Sequence, residues 1–170
     1  MNEFELTFLA KYLPKDLKKS SFKEVVDLYI PKSKNHPTIR LRKNGTVLEL
    51  TKKEPVKTED SSWQLEQTIS LTREEYDVFA KLPGKIVSKI RYKYPYQGRI
   101  AEIDVFQDKL KGLVLVDFEF DKKSSMSHFK MPDFCFVDVT SEKFIAGGML
   151  CGKKYSDIAQ QLLKFKYQKL

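Results

Sequence analysis

The chain has 170 residues, 41% hydrophobic and 12% aromatic, which is enough to build one packed core and too apolar for a disordered chain. Its 31 lysines and arginines exceed 23 aspartates and glutamates, for a formal charge of +8, so an anionic partner is expected without being identified. Two cysteines without C-x-x-C spacing and two scattered histidines exclude a disulfide framework and an imidazole-rich or thiolate metal centre.

Residues 3–12 read as a strand. Glu3, Glu5 and Thr7 fall on one face, with Phe4 and Leu6 on the other. The acid pair begins two residues after Met1, which leaves no room for a removable leader, and no apolar run reaches membrane-spanning length. A soluble, cytoplasmic protein with no membrane partner is therefore expected. Residues 16–23 suggest a short helix or loop, and 24–30 (EVVDLYI) a strand stopped by Pro31. The next strand, 38–43, meets Asn44-Gly45, a pair suited to the positive φ angles of a tight hairpin. The return strand, 46–53, then puts Arg40 and Arg42 on the face of Glu49, Thr51 and Lys53, with Ile39, Leu41, Leu48 and Leu50 opposite.

Polar residues 54–62 suggest a mobile connection, and 63–71 another strand. Thr72 and Glu75 form a capping box for a helix to about Leu82, ended by Pro83-Gly84. Strands are expected at 85–94, 99–106 and 113–121, with turns at 95–98 and 108–112. After a polar loop at 122–132, strand character returns at 134–139. A short helix around 141–144, a break at Gly147-Gly148 and a terminal helix at about 156–167 complete the chain. Many strands, tight turns and few helices predict a mainly β (α+β) fold. The expected architecture is a closed eight-stranded antiparallel barrel with a few flanking helices, residues 1–170 forming one domain.

Charges at every second position recur in these strands: Arg40/Arg42, Lys89/Arg91, Glu102/Asp104 and Asp117/Glu119. A single such pair is also what a solvated edge strand carries. Asp117 and Glu119 follow Leu113-Val114-Leu115-Val116 and alternate with Phe118 and Phe120, and charges in so apolar a strand need partners. Asp104, between Ile103 and Val105, is a third such acid. Clustered carboxylates without histidine or cysteine suit a hard ion, Mg²⁺ or Mn²⁺. Arg40, Arg42, Lys53, Lys89 and Arg91 would clamp phosphoryl oxygens. The P-loop pattern and G-x-S-x-G are absent. Tyr92, Tyr94 and Tyr96 could stack bases, yet packing on the barrel suits them better.

In this order the segments resemble the CYTH superfamily of triphosphate tunnel metalloenzymes, over nearly the whole chain. Glu3-Phe4-Glu5-Leu6-Thr7 is similar to the family's E-x-E-x-K, with Thr7 in place of the lysine. Arg40-Leu41-Arg42 resembles its R-x-R, Thr51-Lys52-Lys53 its T-x-K, Glu66 its next glutamate and Lys89-Ile90-Arg91 its K-x-R. Glu102-Ile103-Asp104-Val105-Phe106, Gly112-Leu113 and Asp117-Phe118-Glu119-Phe120 resemble E-I-D-x-F, G-L and E-x-E, with Asp117 shortening one acid; Val139-Thr140 is similar to its V-T.

The resemblance implies an eight-stranded tunnel that cleaves a triphosphate with Mg²⁺ or Mn²⁺. Glu3, Glu5 and Glu119 would hold metal, with Asp117 and Asp104 in support. Arg40, Arg42, Lys53, Lys89 and Arg91 would grip phosphates beside Glu66, and Glu3, Glu5, Lys53 and Arg91 would carry catalysis. The expected substrate is inorganic tripolyphosphate or a small organic triphosphate. Thiamine triphosphate hydrolysis, adenylate cyclisation of the class IV type and a non-hydrolysing polyphosphate or nucleotide binder are alternatives. A basic nucleic-acid-binding barrel is disfavoured by the opposing acids, and monomer and homodimer both stay open.

Overall fold

The computed structural model describes residues 2–57 and 60–170, and the side chains of all of these except 2, 3, 57, 60 and 61. The described strands are β1 (Asn2–Ala10), β2 (Ser21–Ile30), β3 (Ile39–Asn44), β4 (Val47–Lys57), β5 (Asp60–Ser70), β6 (Lys85–Tyr96), β7 (Arg99–Phe106), β8 (Val114–Phe120) and β9 (Cys135–Asp138). The helices are α1 (Arg73–Phe79), α2 (Lys123–Met126), α3 (Gly147–Leu150) and α4 (Tyr155–Lys164). No helix among the described residues is long and apolar enough to cross a membrane.

Strand order is β5-β4-β3-β2-β6-β7-β8-β1, every neighbour antiparallel, and β1 returns to β5 through Asn2↔Leu65, Glu3↔Gln64 and Phe4↔Trp63. The expected eight-stranded antiparallel barrel is therefore closed. Beyond Phe4 the chain of β1 leaves β5, and β9 takes over that edge at Phe8–Ala10. Backbone groups along the seam are thus paired by two different strands, as buried backbone requires.

The β3–β4 hairpin turns at Gly45-Thr46, with Asn44 paired to Val47 and Gly45 at φ 61. The turn lies one residue beyond the expected Asn44-Gly45 pair, because a positive φ is needed only at its first central position, as glycine readily allows. The pairing register moves by an even step, so Arg40 and Arg42 keep the face of Thr51 and Glu49. The expected loop at 54–62 is largely strand: β4 runs to Lys57 and β5 starts at Asp60. Pro55 is accommodated at a register irregularity between Pro55 and Lys57, where a missing N–H is tolerated. Thr72 and Glu75 form the capping box, but α1 ends at Phe79.

Apolar side chains pack in two places. Outside the wall of β1, β7 and β8, Phe8, Ile103, Val116, Phe118 and Phe120 meet Leu17 and Phe134, and Phe129 lies 4.6 Å from Phe118 between ring centres. Across one end of the barrel, Leu9, Tyr29, Val87, Phe106 and Leu115 meet Phe144, Ile145, Leu150, Ile158 and Leu162. Each fully buried side chain of this size contributes about 1.5–3 kcal/mol. Of the flanking helices, α1 buries no residue, whereas α4 buries Ile158 and Leu162 in the end cluster.

Gly147-Gly148 starts α3 rather than breaking the chain. The reason is proximity: a Cβ on Gly147 would lie 2.1 Å from the Tyr29 hydroxyl, and one on Gly148 2.5 Å from both His36 and the Pro37 carbonyl. Gly147→Ala is expected to destabilise the protein by about 1–3 kcal/mol through overpacking. Urea denaturation checks this, and an unchanged midpoint would show that the end segment is loosely seated.

Candidate active site

The period-two alternation of the strands turns one face of each into the barrel, where a chamber of about 470 Å³ is enclosed. Register places its charges opposite one another. Glu5 faces Glu119 and Thr7 faces Asp117 across β1 and β8, and Asp117 faces Glu102 on β7. Arg91 on β6 faces Asp104, Arg42 on β3 faces Asp27 on β2, and Lys53 on β4 faces Glu66 on β5. The chamber therefore brings together Glu5, Arg40, Arg42, Lys53, Glu66, Lys89, Arg91, Asp104, Asp117 and Glu119. Glu3 belongs to β1 at the β5 seam, but its side chain lies outside the described residues.

The lysines and arginines on the strands of the chamber are held by carboxylates. Lys53 Nζ donates to Glu5 at 2.8 Å. Arg91 donates Nε and Nη2 to the two oxygens of Asp104, each at 2.7 Å, while Lys89 donates to Asp104 and Arg91 Nη1 pairs with Glu102. Arg42 donates a two-pronged pair of bonds to Asp27, both at 2.7 Å. Arg40 Nη2 reaches Glu66 at 3.4 Å, and its buried Nε has no hydrogen-bond partner. An N–H left in this state within a polar chamber is suited to an acceptor oxygen from a ligand.

Asp104, expected as a supporting metal donor, is 1% exposed with both oxygens engaged by bases. In this arrangement it anchors Lys89 and Arg91. Burial would raise its pKa, yet Arg91 and Lys89 hold it well below the usual carboxylate range. Glu5 is likewise lowered, to about 2: burial opposes ionisation, but Lys53, then Arg91, outweigh it.

Asp117 goes the other way. Burial first, then the charges of Glu5 and Asp104, push it up to about 8. Arg91 approaches its carboxylate only to 3.7 Å, too far for the hydrogen-bonded pairing it makes with Asp104. The Thr7 hydroxyl lies 2.8 Å from Asp117 and 3.2 Å from Glu5, bridging the two acids. A folded-state pKa above the unfolded value contributes stability that is fully present below the unfolded pKa and lost as pH rises through the folded one. Wild type is therefore expected to lose stability relative to Asp117→Asn between about pH 4 and 8. Melting temperatures across that range check the sign, and parallel curves would refute it.

Among the described residues, no three carboxylate, imidazole or thiol groups are gathered closely enough to hold a metal ion. The donor set nevertheless fits a hard cation. It is all oxygen, and the Glu5 and Asp117 carboxylates converge on the Thr7 hydroxyl from two neighbouring strands.

The site also contains residues that sequence reading did not assign. Asp27, 2% exposed, is the partner of Arg42. Its signal was a lone acid within an apolar strand, of the same parity as Tyr29. Thr140 receives the Thr7 backbone N–H at 3.0 Å, and His36 and residues 142–148 line the chamber end. Both cysteines are buried, and burial raises the thiol pKa of each. Tyr94 and Tyr96 pack against Phe134, with ring centres 5.6 and 5.2 Å away.

No protein-family model matches the chain. A stretch of 75 residues is 27% identical to an inorganic triphosphatase of Acetivibrio thermocellus, covering 44% of this chain and 47% of that protein, about half its length. Among solved structures, the inorganic triphosphatase NE1496 superposes with a TM-score of 0.64 at 23% identity, over 89% of this chain and 95% of its own. A proposed adenylate cyclase from Bacillus halodurans superposes with a TM-score of 0.55 at 14% identity, over 99% of this chain and 91% of its own. Likenesses at this identity speak for the fold. The closed barrel is thus the fold of these structures, and its acid and base pairs turn inward as the sequence pattern predicts.

Proposed function

We propose that the chamber hydrolyses a triphosphate, inorganic tripolyphosphate or a small organic triphosphate, with Mg²⁺ or Mn²⁺. One observation carries the reading: carboxylates on β1 and β8 and bases on β3, β4 and β6 converge on a single enclosed space. Glu5 and Asp117 would hold the cation, with Glu3 and Glu119 completing the donor set. When bound, such an ion neutralises phosphoryl oxygens and helps orient water. Arg40 binds through its unpartnered Nε, and Lys89 and Arg91 offset charge on the transferred group. Lys53, paired with Glu5, would add a further cation beside the metal-holding acids. The similarity to proteins described as inorganic triphosphatases supports the same class of substrate.

Phosphate release from tripolyphosphate with Mg²⁺, Mn²⁺ or chelator tests the reading, and release only with metal is expected. Thr7, where the family has a lysine, favours a second reading, a non-hydrolysing binder. Tight binding without release in either metal would select it.

A further inference from the structure

Charge inside the barrel does not follow the charge of the chain. Among the described residues lining the chamber, eight carboxylates face six lysine or arginine side chains, although the whole sequence carries +8. The surplus of lysine therefore lies on the outside. A bare triphosphate entering the chamber meets no net positive charge, because carboxylates outnumber the bases there.

Asp27 and Asp104 are more enclosed than the other counter-charges: Glu5, Glu66 and Glu102 keep 15–25% of their side-chain surface exposed, whereas Asp27 retains 3% and Asp104 1%. Asp104 is shared by Lys89 and Arg91, while Asp27 is hydrogen-bonded to Arg42. It makes both hydrogen bonds to Arg42 and lies on β2, the strand between the two that carry the base pairs. It lies opposite Arg42 in the strand register, which fixes the guanidinium at a strand-paired position. A carboxylate so enclosed is suited neither to a ligand nor to solvent, and its effect is to cancel Arg42 permanently.

We propose that Asp27 is a specificity-setting positioning residue: by holding Arg42 neutralised, it makes binding of a triphosphate conditional on an accompanying divalent cation. The proposal rests on the triphosphate reading of the chamber. With Asp27 in place, a metal-free polyanion is repelled by the acids and finds Arg42 already engaged. With the cation present, the acids bind the metal and the polyanion is drawn in beside them. Without the carboxylate, Arg42 offers an unmatched forked donor to phosphoryl oxygens whether or not metal is present.

The test is calorimetric titration of tripolyphosphate into the purified protein in chelator and, separately, in Mg²⁺. Wild type is expected to bind in Mg²⁺ and at least about tenfold more weakly in chelator. Asp27→Asn is expected to gain at least about tenfold in chelator, and Asp27→Asn combined with Arg42→Gln to lose that gain. Asp27→Ser replaces the asparagine variant if the latter does not melt cooperatively. Equal wild-type affinity in chelator and in Mg²⁺ would overturn the proposal without any variant, as would a folded Asp27 variant with unchanged metal-free affinity. Failure of the triphosphatase reading appears separately, as absence of phosphate release by wild type in either metal.

Discussion

Asp104→Asn is expected to lower stability by about 3–5 kcal/mol, the range for removing one partner of a buried charge network. Asparagine keeps the shape of the side chain and removes its charge. Lys89 and Arg91, whose like charges repel, would then lose the carboxylate they share, leaving Arg91 its pairing with Glu102. The loss has a pH signature. Since the folded pKa of Asp104 lies well below its ordinary value, its contribution is present above the unfolded pKa and disappears as pH falls through the folded one. Wild type should therefore converge on the variant in acid and separate from it at neutral pH. Urea midpoints measured from acid to neutral pH decide this, and equal midpoints at pH 7 would mean that the network contributes nothing.

Glu5→Gln is expected to lower metal-dependent phosphate release by at least about a hundredfold while leaving the protein folded. The Lys53–Glu5 contact is half-buried, at 23% and 21% exposed, so its loss should cost about 1.5–3 kcal/mol. A glutamine can still meet Lys53 through its carbonyl oxygen, but it supplies no charge to a cation. Calorimetry with Mn²⁺ separates the two roles: weaker metal binding in a stably folded variant supports Glu5 as a ligand. Wild-type turnover and metal affinity would move the metal away from β1.

The period-two pattern was legible because both faces of each strand carry a consistent chemistry. Asp117 and Glu119 alternate with Val116, Phe118 and Phe120, which favoured an enclosed pair over a solvated one, and Arg40/Arg42 kept their face even though the hairpin turned one residue later than expected. Asp27 was not legible. Val25, Val26 and Leu28 surround it in sequence, and the base it serves lies 15 residues away, reached only once β2 and β3 pair. Gly147-Gly148 read as a break for a similar reason. Their purpose is the space taken by Tyr29 and His36, which local sequence does not reveal. Asp104 carried the signal of a buried acid, but one strand could not indicate which charges would claim its oxygens.

Residues 142–148 stand across one end of the barrel, with Ile145 buried against its neighbours, while Glu119 is exposed on β8. On the triphosphate reading, a vessel narrowed at its base would be filled and emptied through the opposite mouth, so the pace of departure would govern the whole cycle even when bond breaking is quick.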